Sequence, residues 1–113
     1  MKNSNKILYS VSRNIAILTI NRPERRNALD AETLEQINIL LDRAESDEKV
    51  RVILITGQGD TFSSGFDLKD QMEKAPKGKQ WKPILELDHR TIMRFWNSPK
   101  PTIAAVKGAC LAG

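Results

Sequence analysis

Three apolar runs rich in β-branched residues constrain this chain more than anything else in it. They are IAILTI (15–20), VRVILIT (50–56) and TIAAV (102–106). Stretches of helical length separate them, and strands alternating with helices argue for an α/β architecture. The first run also has a neighbour before it. ILYSVS (7–12) is split from IAILTI only by Arg13 and Asn14, a strand–turn–strand pattern that predicts a hairpin.

The connections read as follows. Pro23 in NRPERRNA cannot donate to a ladder and breaks regularity. Asp30 suits a helix N-cap, with Glu32 favourable in the first turn. From Ala31 to about Glu45, Leu34, Ile37, Leu40, Leu41 and Ala44 recur at helical spacing. SDEK is a polar turn. Gly57 and Gly59 open a loop into TFSSGFDLKD, and another helix is expected to start near Asp67. Glu73–Pro83 carries four lysines, two prolines and a glycine, the composition of a mobile surface loop. A further helix is expected from Ile84 to Trp96, with Leu85, Ile92, Phe95 and Trp96 as its apolar face. Pro99 and Pro101 end it.

The 113 residues suit one small domain, and 40% hydrophobic with 28% charged residues reads as soluble and globular. MKNSNK is polar and carries no apolar stretch of signal-peptide type. The apolar runs fall far short of the ~20 residues of a membrane span. The expectation is a cytoplasmic protein with no membrane partner. A single cysteine, Cys110, excludes an internal disulfide and any cysteine-based metal cluster. His89 is the only histidine, so no metal site is expected. A buried thiol and a helix-surface imidazole are their ordinary roles. The net charge is +4. One basic cluster is Arg22, Arg25 and Arg26, and another is Lys74, Lys77, Lys79 and Lys82. Such patches suit a polyanion or a phosphate-bearing small molecule, with solvated surface as the alternative.

Chemistry is suggested where glycine follows a strand, at SSGFD (63–67) and GACLAG (108–113). Two such loops side by side could aim two backbone N–H groups at one point, the arrangement of an oxyanion hole. Two ordinary strand-to-helix turns fit the same residues.

The stretches IAILTINRPERRNAL, VRVILITGQGDTFSSGFDLK and KPTIAAVKGACLAG resemble, in order and spacing, the N-terminal part of the crotonase superfamily. This is the enoyl-CoA hydratase/isomerase group, and the resemblance covers most of the chain from about Ile7. It implies a spiral of ββα units, here cut after the glycine of the second oxyanion loop, so that residues 1–113 are the N-terminal portion of one domain. It implies acyl-CoA thioesters as substrates, no other cofactor, and a homo-oligomer, a trimer or a dimer of trimers. Two backbone N–H groups, matched to Phe66 and Gly113, would hold the thioester oxygen of an enolate-like intermediate. Arg25, Arg26 and Ala28 in one loop, with Ser64, Asp67, Leu68 and Lys69 in another, match the clamp around CoA. Arginine can meet a phosphate bidentately, whereas lysine acts as a point charge. Asp67 also suits a helix N-cap that would position the Phe66 amide. Family members often carry a small residue where Phe66 stands, so a phenyl ring here would reshape the pantetheine or acyl pocket.

The water-activating carboxylates of the family's hydratases match positions beyond Gly113. Glu73, Glu86 and Asp88 sit in no matching motif and read as surface charge. Residues 1–113 alone are therefore expected to be inactive in hydration. A non-catalytic acyl-CoA-binding or assembly module is the alternative. RNA binding, known among some relatives, is disfavoured by the acidic first helix DAETLEQINILLDRAESDE, so no nucleic-acid partner is expected.

Overall fold

The computed structural model describes residues 5–113. Most of the polar N-terminal MKNSNK stretch, where no apolar run of signal-peptide type was read, therefore lies outside the described residues. Strands β1 (Ile7–Ser12) and β2 (Ile15–Ile20) form the expected hairpin, antiparallel with Ile7 opposite Ile20 and Ser12 opposite Ile15. Arg13 and Asn14 both take positive φ, 53° and 68°. Two left-handed residues in a two-residue loop give the turn whose twist matches that of the strands, and asparagine tolerates it well. The Asn14 side chain also donates to the Lys49 carbonyl at 2.8 Å, tying the hairpin tip to the approach of the next strand.

Helix α1 (Ala31–Ser46) follows, with Asp30 accepting from the Thr33 amide at 2.8 Å as its N-cap. Strand β3 (Val52–Gly57) then lies parallel to β2, and β4 (Thr102–Ala104) lies parallel to β3, in the spatial order β1-β2-β3-β4. Period-two alternation sends Ala16, Leu18 and Ile20 of β2 and Ile53 and Ile55 of β3 to one face. There they pack with Leu34, Ile37, Leu41 and Ala44 of α1 as the core. The opposite face is also apolar. Leu8 and Ile103 lie on it, 39% and 52% exposed, beside half-buried Ile17 and Leu54.

Several expectations are corrected. First, Glu73–Pro83 is not one irregular loop. Helix α2 (Leu68–Lys74) reaches into it, a 3-10 turn occupies Gly78–Gln80, and α3 (Trp81–Asn97) begins inside it. Pro83 does not block α3, because it falls in the first turn, where the amide has no intrahelical acceptor. Second, the inner face of α3 is only half the expected one: Ile92 and Phe95 are partly buried, Phe95 against the core. Leu85 and Trp96 are 55% and 83% exposed, while Asp88 and Thr91 are buried. Thr91 can face inward because its hydroxyl donates to the Leu87 carbonyl (2.7 Å) and accepts from Asn38 of α1 (2.8 Å). Third, Asp88 is thereby removed from the surface-charge class. Fourth, β4 is three residues long, and Cys110 is exposed rather than buried.

Candidate functional site

Two ladders of one residue pair each assemble the loops that the sequence singled out. Leu29 bridges Phe66, and Ser63 bridges Cys110, both in parallel sense. The Leu29 amide donates to the Gly65 carbonyl (2.8 Å), the Asp67 amide to the Leu29 carbonyl (2.9 Å), and the Ser64 amide to the Arg26 carbonyl (3.0 Å). The arginine loop and the SSGFD loop are thus one structure. Gly65 sits at φ +96°, and a Cβ there would lie 2.2 Å from the Ala112 carbonyl oxygen, so only glycine fits between the two loops.

Residues that were not singled out for a site hold this junction. Asn27 is fully buried in the left-handed conformation. It accepts from the Arg22 amide (2.9 Å) and donates to the carbonyls of Gln58 (3.0 Å) and Thr61 (2.7 Å). The Ser63 hydroxyl donates to the Asn27 carbonyl (2.8 Å) and accepts from the Gly65 amide (3.0 Å). The only sequence signals were a polar residue in the Pro23 loop for Asn27 and a place in the SSGFD stretch for Ser63.

Arg22 is the larger correction, because its cluster was read as a patch for polyanions. Its side chain is buried, bonded to the Ala28 carbonyl, to Asp67 (3.1 Å) and to Asp30 (3.4 Å). Arg25 also pairs with Asp67, at 3.3 Å, but stays partly exposed. Asp67 caps α2 by accepting from the Asp70 amide at 3.0 Å. Burial by itself raises the Asp67 pKa. The Asp70 amide and the two arginines outweigh it and hold the carboxyl below its ordinary value. Of the remaining clamp residues, Arg26, Leu68 and Lys69 are exposed, Ser64 is half-buried and Ala28 is buried.

The two candidate oxyanion residues adjoin each other. Gly113, at φ +109°, lies against the Phe66 ring so closely that a Cβ would sit 2.8 Å from it. The Phe66 amide donates to the Ala112 carbonyl at 3.2 Å, so this N–H is engaged within the protein. Ala112 itself has φ +34°, a sparsely populated setting for a residue with a Cβ.

Beside this pair opens a cleft of about 470 Å³, walled by Phe66, Leu68, Leu85 and Ile92. Asp88, Gln71 and His89 supply its polar side. Burial pushes the Asp88 carboxyl above its ordinary value, and a Gln71 amide at 3.4 Å offsets this only in part. Among the described residues, no group of histidine, cysteine and carboxylate side chains could hold a metal ion. No helix among them is long and apolar enough to cross a membrane.

The sequence profile described as enoyl-CoA hydratase/isomerase matches residues 10–113. The chain is 39% identical over 110 residues to a probable enoyl-CoA hydratase of Bacillus subtilis (strain 168), covering 96% of this chain and 42% of that one. Its structure superposes with a TM-score of 0.95 on the crystal structure of an enoyl-CoA hydratase/isomerase from Xanthobacter autotrophicus Py2. That relative is 54% identical, over 97% of this chain and 41% of the other. A crystal structure of a probable enoyl-CoA hydratase from Mycobacterium smegmatis gives a TM-score of 0.80 at 36% identity, over 93% and 42% of the two chains. The chain thus spans about two fifths of the length of the relatives it matches. With its strand order, its paired glycine loops and these likenesses in agreement, the chain belongs to the enoyl-CoA hydratase/isomerase family and has the crotonase fold over that span.

Proposed function

We propose that these residues bind acyl-CoA thioesters and supply the oxyanion-stabilising half of an enoyl-CoA hydratase-type lyase site. The observation that carries this is the meeting of Phe66 and Gly113 at the wall of one apolar cleft. An enolate formed on a thioester places charge on the carbonyl oxygen, and preorganised amides aimed at that oxygen lower its energy. The Phe66 amide now donates to Ala112, so substrate would have to displace that carbonyl, and the strained Ala112 backbone is where the peptide would turn. Burying a phenyl ring there shapes the cleft for the acyl or pantetheine chain.

Arg25 and Arg26 would face the CoA phosphates from the rim, with Lys69 as an exposed point charge. Asp67 serves them indirectly, orienting Arg25 and capping the helix that follows the Phe66 amide. Ala28, Ser64 and Leu68 complete the proposed clamp. The two carboxylates used by the family's hydratases match nothing in residues 1–113, so these residues alone are expected to bind without hydrating. Assembly as a trimer or a dimer of trimers, in the cytoplasm, belongs to the same proposal. Ile103, Val106 and Leu111, on and after the edge strand β4, are exposed and apolar, a surface that a second subunit or further chain would cover.

The test is Phe66→Pro, which removes the amide hydrogen and leaves every charged group in place. In protein expressed from its complete reading frame, hydration of an enoyl-CoA followed by loss of thioester conjugation should fall by about 100-fold or more. Circular dichroism checks the fold. Activity within a few-fold of the parent would overturn the amide assignment. Binding of acyl-CoA with no turnover in the parent would favour a binding module instead.

A further inference from the structure

The cleft beside Phe66 and Gly113 contains a polar feature that a plain hydrocarbon chain would leave unmatched. Asp88 is 7% exposed, on the inward side of α3. Its one hydrogen bond is a long one, from the Gln71 side chain at 3.4 Å. An ionised carboxylate has about four lone-pair sites, so most of its capacity is unused. Asp88 makes no ion pair among the described residues. Lys74, which lines a smaller cavity together with Asp88, is paired with Asp70 at 3.2 Å. Apolar walls flank it in the larger cleft, at Leu85 and Ile92, and His89 is the only other titratable side chain there.

We infer that the acyl group accepted by this cleft carries a hydroxyl on its distal carbons, held by Asp88 and Gln71. This rests on the acyl-CoA reading above and adds the substrate class to it. Methylene groups would pack on Phe66, Leu68, Leu85 and Ile92. The hydroxyl would take the place of the water that the carboxyl loses when the cleft fills. A buried polar group left without a partner is costly, whereas matching it converts that cost into selectivity. A hydroxyl suits this carboxyl better than an ammonium does. Burial favours the uncharged acid, and a hydroxyl can accept from the acid as well as donate to the carboxylate. Substituents at the α and β carbons belong to the reaction at the two amides, so the selective position is γ or beyond.

The experiment compares hexanoyl-CoA with its isomeric γ-, δ- and ε-hydroxy derivatives by calorimetric titration of protein made from the complete reading frame. At least one hydroxy isomer should bind about tenfold or more tightly than hexanoyl-CoA. Asp88→Leu should erase that preference, by weakening the hydroxy isomer and strengthening hexanoyl-CoA. If all four thioesters bind equally, the hydroxyl inference is overturned and the acyl-CoA reading stands. If neither the thioesters nor CoA binds, both are overturned. Should Asp88→Leu fail to fold, Gln71→Leu on the exposed side of the pair should reduce the same preference, and an unchanged preference counts against the inference.

Discussion

Replacing Asp67 with asparagine isolates the charge at the centre of the site. The side chains are nearly isosteric, and asparagine is as good an N-cap as aspartate, so the start of α2 should survive. What is lost is the carboxylate between Arg22 and Arg25. Arg22 is the side chain that suffers, because it is 9% exposed and cannot turn to water. Removing one member of a buried pair typically costs 3–5 kcal/mol. Here Arg22 keeps Asp30 at 3.4 Å and the Ala28 carbonyl, and the new amide oxygen can still accept from it. The expected loss is therefore below that range, about 2 kcal/mol at neutral pH. Asp67→Ala removes the cap as well and should lose roughly 1 kcal/mol more.

The sign with pH follows from the depressed pKa of Asp67. A carboxylate whose folded pKa is lowered stabilises fully above its unfolded pKa, and that contribution disappears as pH falls through the folded one. The gap between parent and Asp67→Asn should thus be full at pH 7 and shrink in acid below the ordinary aspartate pKa. Urea unfolding followed by circular dichroism at a series of pH values measures it. A gap under about 0.5 kcal/mol at pH 7, within the range of ordinary surface substitutions, would refute the reasoning. So would a gap that does not change with pH.

Gly65→Ala should unfold the site or the protein, since the residue sits at φ +96° and its new Cβ would lie 2.2 Å from the Ala112 oxygen. A Tm equal to that of the parent would show that the two loops are not so closely joined. Asp30 should contribute about 2 kcal/mol of acid-sensitive stability. Burial opposes ionisation, but Lys6 and Thr33 outweigh it and bring the pKa down to about 2. That contribution should fade as pH falls from the ordinary value of 3.8 towards 2, and Asp30→Asn should flatten this part of the acid profile. Leu41→Ala, at a fully buried position between α1 and the sheet, should cost about 2–5 kcal/mol in urea unfolding. A loss under 1 kcal/mol would mean that α1 is not seated on the sheet as described.

The parts legible in the sequence are those whose chemistry is local. Alternation over six residues, with Arg13-Asn14 between the runs, placed β1 and β2 at their observed ends. Asp30 and Asp67 were readable as caps because a cap needs only an acceptor and the amide three residues on. The glycine loops were readable because glycine marks where backbones approach closely.

What escaped was the fate of charged and polar side chains whose partners are distant in sequence. Arg22 looked like a surface cation, yet the nearer of its two carboxylate partners in space, Asp67 at 3.1 Å, lies 45 residues away in sequence. Thr91 is sheltered by Asn38, 53 residues before it. That partner turns a polar side of α3 inward and leaves Leu85 and Trp96 outside. Asp88 followed the same rotation of the helix, from presumed surface charge to the wall of the cleft. Sequence by itself determined the strands, the first helix, the order of the main elements and the family, because hydrophobic period, caps and turn residues act over a few positions. Only the tertiary structure decided which charges are buried and what faces the cleft, because burying a polar group is tolerable only where folding brings a partner to it.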